Sequence, residues 1–249
     1  MFMEFLVFRI FISALGIGLF VWAILSFRKK RLIENTPTSK IRSIAMGLVE
    51  IFGEVVPTKN NILKSPFSQN DCVYYRYKIE EYRSSGKSSH WVTIRKGTNH
   101  VYFYLKDETG MVLINPQDAK IDIPADNVFK SGMGKDPSYK VQEFLQKENV
   151  KFEGSLLGIN KTMRYTEHFI SPKDNLYIMG TAADNPFVED ASTFKGVEDV
   201  IIKKGKHEKV YYISDRNERM ILRRLNIIVF CGLVFGSLLI ILGLISFIW

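Results

Sequence analysis

Two long uncharged stretches, one near each end of the chain, constrain its fold more than any other feature. The first is residues 10–27, IFISALGIGLFVWAILSF, and the second is residues 225–249, LNIIVFCGLVFGSLLIILGLISFIW. At about 1.5 Å of rise per residue, helices of these lengths reach roughly 27 and 37 Å, enough to cross a hydrocarbon core of about 30 Å. We therefore predict transmembrane helices over 5–27 and 225–249.

A cleaved signal peptide is the alternative for the first stretch. The residues before it carry Glu4 and a single cation, Arg9, in place of a basic leader. No small-x-small cleavage site precedes the following polar region. We expect this stretch to be retained as an anchor.

The basic charge of the chain, formally +8, is concentrated beside the two stretches. Residues 28–42 carry six Lys or Arg and one Glu, and residues 203–224 carry eight Lys or Arg and three acidic residues. Residues 43–202 carry 19 Lys or Arg against 21 Asp or Glu. Because the middle of the chain has no cationic surplus to neutralise phosphates, its composition argues against nucleic-acid binding.

Both basic flanks, 28–34 and 203–224, lie on the same side of the predicted membrane as the middle segment. Lys/Arg-rich flanks are normally retained in the cytoplasm, so we expect a two-span protein with both termini outside and the domain in the cytoplasm. The same cations can also bind anionic lipid, each contributing on the order of 1 kcal/mol. The basic residues predicted to face lipid are Arg28, Lys29, Lys30, Arg31, Arg223 and Arg224.

Pairs of small residues in the two spans predict close helix packing. Gly232 and Gly236 form a GxxxG pair, and Ala14 and Gly18 form a second pair at the same spacing. Such pairs allow contact either between the two spans or between copies of the chain, which leaves homo-oligomerisation through the membrane open.

The middle segment, 35–202, predicts a mostly antiparallel β domain with one or two short helices. Thr36-Pro37 is typical of a helix start, and apolar spacing extends this short helix to about Met46. From 47 to 57 the period changes to two, which predicts a half-buried strand with Glu50 and Glu54 on its polar face.

Further strands and turns follow from the same alternation. A helix is predicted over 136–150, and hairpin turns over 108–110 and 171–175. The other predicted strands are 72–83, 89–97, 100–116, 119–124, 163–171, 175–182 and, within the second basic flank, 209–214. The fold class is therefore membrane-anchored α+β, with two transmembrane helices flanking a small β barrel or sandwich.

Four runs in this order resemble the GIDE domain, also called BAM for "beside a membrane". They are NTPTSKIRSIAMGLVEIFGEVVP, SPFSQNDCVYYRYKIEEY, YFYLKDETGMVLINPQDAKI and FISPKDNLYIMGTA. The resemblance covers about residues 35–185 and also includes the arrangement of one span on either side. The resemblance implies a membrane-held β-rich module. It assigns a structural or partner-binding role to Thr36, Pro37, Thr38, Ser39, Ile41, Arg42, Gly47, Glu50, Gly53, Pro57, Ser65, Pro66, Cys72, Tyr74, Tyr75 and Tyr77.

In the mitochondrial E3 ubiquitin ligase for which the family is best known, activity belongs to a C-terminal RING finger with eight Cys or His ligands for two zinc ions. Here the sequence ends at Trp249, directly after the second span. Cys72 and Cys231 occupy different environments, and the histidines, 90, 100, 168 and 207, follow no ligand spacing. We expect a RING-less member with no metal and no cofactor.

No catalytic residue is predicted. The sequence contains no GxSxG, Walker loop or HExxH, and no spacing pairs Cys72 with a histidine. Tyr74, Tyr75 and Tyr77 can stack on a ligand, but alternating aromatics in a strand more often pack in a core.

Three functions remain open. The first is a non-enzymatic module that recruits or senses a protein partner at the cytoplasmic face, in a prokaryotic plasma membrane. The second is a structural membrane protein that responds to lipid or envelope stress through its basic flanks. The third is an E3 ubiquitin ligase-family protein whose RING is supplied by another chain.

Overall fold

The computed structural model describes residues 2–59, 61–86, 88–154, 160–187, 199–206, 210–216 and 218–248. The chain divides into two compact units. One comprises Met1–Pro37 with Arg216–Trp249, and the other comprises Thr38–Asp215. The β unit extends past the predicted end at residue 202 because a strand of the second basic flank, predicted over 209–214, belongs to its sheet.

The first unit consists of two long helices, α1 (Phe2–Asn35) and α3 (Glu218–Ile248). Within them, Arg9–Asn35 and Met220–Ser246 are long and apolar enough to cross a membrane. Both helices continue through the neighbouring basic residues instead of ending before them.

The helices approach each other closely at small residues. A Cβ built on Gly232 would lie 2.8 Å from the Cβ of Ala23, and one on Gly236 would lie 2.9 Å from the backbone nitrogen of Phe20. The GxxxG pair of α3 therefore lies at the contact, where a missing side chain lets the backbones approach.

Ala14 and Gly18 of α1 do not lie at this contact. Both are exposed, and nothing lies within 4 Å of a Cβ built on Gly18. Gly16 takes the place predicted for them, since its Cβ would lie 3.0 Å from the carbonyl oxygen of Gly236. Residues two apart on a helix point about 200° away from each other, so the small residues 14, 16 and 18 offer two opposite faces.

The helix predicted from Thr36 to Met46 is absent. The backbone N–H of Thr36 donates to the carbonyl of Ile33, and its hydroxyl donates to that of Leu32 at 2.8 Å, so Thr36 ends α1. Between this end and the first strand the structure has only a 3-10 turn, Ile41–Ser43. The prediction was wrong because Thr-Pro also follows helix ends, where proline cannot continue the helix.

The described residues of the second unit form thirteen strands and one helix. They are β1 (Gly47–Pro57), β2 (Leu63–Lys64), β3 (Asp71–Cys72), β4 (Tyr74–Ser85), β5 (Ser88–His100), β6 (Phe103–Lys106), β7 (Met111–Ile114), β8 (Lys120–Asp122), β9 (Asn127–Ser131), α2 (Tyr139–Lys147), β10 (Met163–Ile170), β11 (Asn175–Asp184), β12 (Val200–Lys203) and β13 (Tyr212–Ser214).

Five of these strands close into a barrel in the order β1-β6-β7-β12-β11, because β11 also pairs with β1. The β7–β12 pair is parallel, and the other barrel pairs are antiparallel. This is a small Greek-key barrel of the OB-fold kind. Its interior is filled by buried apolar side chains, among them Ile51, Val55, Phe103, Leu105, Val112, Leu176, Ile178 and Ile202. The predicted mostly antiparallel β domain between two long apolar helices is thereby confirmed.

A second, fully antiparallel sheet has the order β5-β4-β10-β9. It is built from two excursions between barrel strands: residues 58–102 supply the β4–β5 hairpin, and residues 115–174 supply β9, α2 and β10. The predicted turn at 108–110 joins β6 to β7 as a hairpin. The turn at 171–175 was wrongly predicted to be a hairpin, since it carries the chain from β10 in this sheet to β11 in the barrel.

Candidate functional site

The two faces of the four-stranded sheet differ in what covers them. The inner face packs against α2 around Phe67, whose ring lies 5.3–6.5 Å from four other aromatic rings in edge-to-face contacts. The buried residues of this core are Phe67, Tyr77, Ile79, Val141, Leu145, Met163 and Tyr165. Tyr77 is thus a core residue, Tyr75 packs at the edge of this core, and Tyr74 is buried with the barrel core.

The outer face carries a groove of about 520 Å³. Because side chains alternate along a strand, Arg76 and Lys78 of β4 point away from the core occupied by Tyr77. Register places Lys96 of β5 directly opposite Lys78, and Thr98 opposite Arg76. His168 of β10 lies on the other side of Arg76. The groove is lined by Arg76, Tyr77, Lys78, Lys96, Gly97, Thr98 and His168.

The cations of this face outnumber their carboxylate partners. One carboxylate oxygen of Glu80 accepts a hydrogen bond from Nε of Arg164 at 2.8 Å. The other oxygen of Glu80 lies 2.9 Å from Nζ of Lys78. The hydrogen bond from Arg164 lowers the pKa of Glu80 against the opposing effect of burial, so this carboxylate stays charged. Within the part of the chain that the structure describes, neither Arg76 nor Lys96 has a carboxylate partner.

The histidine at the end of the groove does not compensate Arg76. Nδ1 of His168 lies 2.7 Å from the carbonyl oxygen of Pro124 and 3.3 Å from Nη2 of Arg76. A nitrogen that donates its proton to a carbonyl cannot also accept one from a guanidinium, so the shorter contact fixes the tautomer with Nδ1 protonated. The guanidinium of Arg76 therefore remains available to an anion.

An aromatic pair continues the outer face beyond Glu80. The rings of Tyr82 and Trp91 lie 5.2 Å apart, and the guanidinium carbon of Arg164 lies 4.4 Å from the centre of the Trp91 ring. A cation at this distance is attracted by the ring face. Aromatic and arginine side chains on one exposed sheet face are the residue types that dominate protein interfaces.

Glu50 was predicted to face solvent, but its side chain is fully buried. Its two carboxylate oxygens accept the hydroxyls of Thr38 and Tyr177, each at 2.7 Å. The backbone N–H of Ser39 also donates to its carbonyl at 2.7 Å. A buried carboxylate is tolerated when donors replace water, so strand alternation alone could not reveal this burial.

Residues 38–46, which lead into β1, are also fastened to the β6–β7 turn. Oδ2 of Asp107 accepts the backbone N–H of Ile41 at 2.9 Å, and its Oδ1 accepts those of Thr109 and Gly110. Burial by itself would raise the pKa of Asp107, but these hydrogen bonds outweigh it and lower the pKa. The backbone N–H of Arg42 donates to the hydroxyl of Thr109.

Sequence reasoning missed Glu167, which holds the four-stranded sheet together. It is fully buried, and its carboxylate accepts the backbone N–H of Phe67 at 2.9 Å and of Ser68 at 3.3 Å. The amide of Asn127 donates to its other oxygen at 2.9 Å. The loop that holds Ser65 and Pro66 is thereby pinned to β10, and Ser65 shares a 2.7 Å hydrogen bond with Ser68.

Cys72 has no nucleophilic character. Burial, reinforced by the negative charge of Glu167, raises the pKa of its thiol to about 12, so the thiol stays protonated at neutral pH. Its sulfur lies 3.6 Å from the carbonyl oxygen of Leu63. Among the residues that the structure describes, no three His, Cys, Asp or Glu side chains gather as metal ligands do.

The remaining predicted positions serve the backbone or lie on the helices. Gly47 has φ +112°, and a Cβ on Gly53 would lie 2.5 Å from the carbonyl oxygen of Lys106, so both positions favour glycine. Pro57 ends β1. The basic residues Arg28, Lys29, Lys30 and Arg31 lie on α1, and Arg223 and Arg224 lie on α3.

A family model named GIDE and described as "E3 Ubiquitin ligase" matches residues 74–244. The match begins at β4 and runs through the groove strands, the barrel strands β6, β7, β11 and β12, and most of α3. It leaves out residues 35–73, which include barrel strand β1 and the start of the resemblance to the GIDE domain. Searches of curated proteins and of solved structures gave no match. Because the model matches more than half of the chain, this protein belongs to the GIDE family.

Proposed function

We propose that this chain is a membrane-anchored, non-enzymatic module that recruits a protein partner through the outer face of its four-stranded sheet. The groove with Arg76 and Lys96 carries the proposal, because these two cations have no carboxylate partner among the described residues. The opposite face of the same sheet is packed against α2. The outer face is thus the one left for a ligand.

The arrangement of the groove costs folding stability. Lys78 and Lys96 stand directly opposite each other on neighbouring strands, where like charges destabilise a sheet. Lys78 is balanced by Glu80 at 2.9 Å, so the uncompensated charge of this pair is that of Lys96. Local features that oppose folding are concentrated at functional sites. An anionic group of a partner placed between these cations would remove the repulsion.

The charge of the whole unit favours a protein over a nucleic acid. Residues 38–215 carry 25 Lys or Arg against 23 Asp or Glu, so the unit is close to neutral. Polyanion binding depends on neutralising several successive phosphates over a cationic surface. The local excess in the groove suits a few carboxylates better.

Anchoring and orientation complete the proposal. The two helices that are long enough to cross a membrane are both flanked by Lys and Arg on the domain side. Such flanks favour a cytoplasmic domain with both termini outside. The module would then hold its partner at the cytoplasmic membrane face.

The test compares interactions of the full chain with those of a variant in which a short Gly-Ser linker replaces residues 38–215. Both proteins are crosslinked in intact cells, purified in mild detergent and analysed by mass spectrometry. A stoichiometric partner that is present with the full chain and absent with the deletion is expected. If the deletion variant retained every interaction, or if only lipid and self-crosslinks were recovered with the full chain, recruitment by the domain would be refuted.

The family description favours a second candidate, participation in ubiquitin transfer with the catalytic RING on another chain. The 249 residues contain two cysteines and four histidines, fewer than the eight ligands of a RING. A reconstituted transfer reaction containing a RING protein, with and without this chain, tests the idea. No stimulation by the chain would dismiss it.

A further inference from the structure

We infer that the partner supplies an extended acidic segment that adds to the four-stranded sheet along the free edge of β5, with its carboxylates over the groove. This inference rests on the proposed recruitment function and names the chemistry of the partner. It joins two independent features of the same strand, an open backbone edge and an unmatched positive charge.

The open edge is the outer side of β5. This strand is the last in its sheet, and its twelve paired residues all face β4. Lys96, Thr98 and Asn99 are exposed, and the strand contains no proline. The backbone N–H of His100, at the end of the strand, already donates to Oδ1 of Asn99 at 2.9 Å. The other outward N–H and C=O groups present a template on which another extended chain can pair.

A bulge limits where an added strand fits. Register shifts between Ile79 and Glu80 of β4, which leaves Ile94 of β5 unpaired. From Arg95 to His100 the ladder is regular, and six residues at about 3.3 Å each span roughly 20 Å. This regular part of the edge is the part that borders the groove.

The charge of the groove selects what can pair there. Lysine on an edge strand opposes pairing with a second copy of the same strand, because like charges would face each other. An acidic strand instead brings alternate carboxylates beside Lys96, with Arg76 one strand further in. Charge complementarity and backbone pairing then act on the same six residues.

An anionic membrane surface or a nucleic acid fits these observations less well. Headgroups and phosphates would meet the cations but make no use of the strand edge. They also gain from extended positive surfaces, whereas the excess here is confined to one groove. A short carboxylate-bearing strand uses both features.

The experiment uses the full chain in nanodiscs of neutral phosphatidylcholine and measures peptide binding by fluorescence anisotropy. The probe is a labelled peptide in which Val and Glu alternate over eight residues; a Val-Lys peptide is its charge control. A third peptide carries the Val-Glu sequence with every second amide N-methylated, which removes strand pairing. Lys96→Glu and Lys96→Ala are compared with Lys120→Glu, an equal charge reversal on the short barrel-side strand β8.

We expect saturable binding of the Val-Glu peptide, weakened about tenfold by Lys96→Glu and less by Lys96→Ala, and unchanged by Lys120→Glu. The N-methylated and Val-Lys peptides should not bind. Thermal unfolding checks that each variant is folded, and Lys96→Ala keeps the test valid if Lys96→Glu is not.

Three outcomes overturn the inference. Equal binding of acidic and basic peptides removes the charge selection, and equal binding of the N-methylated peptide removes strand addition. Vesicles containing phosphatidylserine that bind wild type and not Lys96→Glu, while the peptide binds neither, assign the groove to lipid. If the peptide fails but residues 38–215 are still required to capture a partner, recruitment stands and only the acidic strand is refuted.

Discussion

The barrel and the four-stranded sheet are parts of one compact unit, yet they differ in whether their charged side chains are paired and whether their strand edges are free. The barrel closes through β1 and β11, and its buried carboxylate, Glu50, accepts two hydroxyls. The sheet ends in two open strands. Two cations share Glu80, while Arg76 and Lys96 have no carboxylate partner among the described residues. A closed barrel whose buried carboxylate is hydrogen-bonded is a scaffold, whereas the open sheet has features that a ligand would complete.

Phe67→Ala has the largest expected effect, because the sheet must be packed firmly on α2 to present its outer face. The ring is fully buried among four other rings, so its loss should destabilise the unit by about 4 kcal/mol. Phe187→Ala, at an exposed ring beside Tyr102, should cost less than about 1 kcal/mol. Urea unfolding in mild detergent measures both; equal losses would show that the Phe67 core does not hold the sheet.

Tyr177→Phe tests whether the barrel depends on complete pairing of its buried charge. The variant removes one of the 2.7 Å donors to Glu50, so we expect a loss of about 2 kcal/mol. Tyr139→Phe removes an exposed hydroxyl and should change stability by less than about 0.5 kcal/mol. If the two variants were equally stable, the hydroxyl of Tyr177 would contribute nothing to the stability of the barrel.

Glu80→Gln tests, through its pH dependence, a buried carboxylate that two cations share. Since the pKa of Glu80 is lowered by folding, its contribution is present above the ordinary carboxyl pKa and is lost as pH falls through the folded value. The free energy of unfolding of the wild type should exceed that of Glu80→Gln by roughly 1 kcal/mol near neutral pH, and this difference should vanish in acid. The melting temperatures of both proteins are measured from neutral to acidic pH. A difference in melting temperature that persists in acid would contradict this role of the Glu80 charge.

Lys96→Glu has the smallest expected effect on stability. Its sign is informative, because this variant should stabilise the unit. The variant replaces the like-charge pair of Lys78 and Lys96 by a pair of unlike charges. This should raise the free energy of unfolding of the free protein by roughly 0.5 kcal/mol. Lys120→Glu should show no such gain. A stability gain that accompanies loss of binding marks a site kept for function, whereas destabilisation by Lys96→Glu would mean that Lys96 has a structural role.

The sequence predicted the elements whose signal is local. The two apolar stretches, the alternation in β1 and β4 and the turn at 108–110 each depend on neighbouring residues, and each appears in the structure. The short strand β12 was missed because four residues of apolar sequence do not distinguish a strand from a loop.

The candidate site could not be predicted because it depends on register between strands distant in sequence. Arg76 and Lys78 appear as an ordinary solvated strand face until pairing sets them beside Lys96 and His168. Glu167 likewise shows its importance only when β10 meets the loop at Phe67, a hundred residues earlier. Among the residues singled out by the family resemblance, Gly47, Gly53 and Pro57 shape the first barrel strand, and Thr38 and Ser39 hydrogen-bond Glu50.

The most direct test of recruitment through the outer face is photocrosslinking in intact cells, with a photoreactive residue placed at Thr98 beside the groove or, as control, at Lys120. We expect a protein adduct in near-stoichiometric yield from position 98, lost with Lys96→Glu, and none from position 120. Adducts only to lipid or to further copies of the chain, or equal protein adducts from both positions, would contradict recruitment through this face.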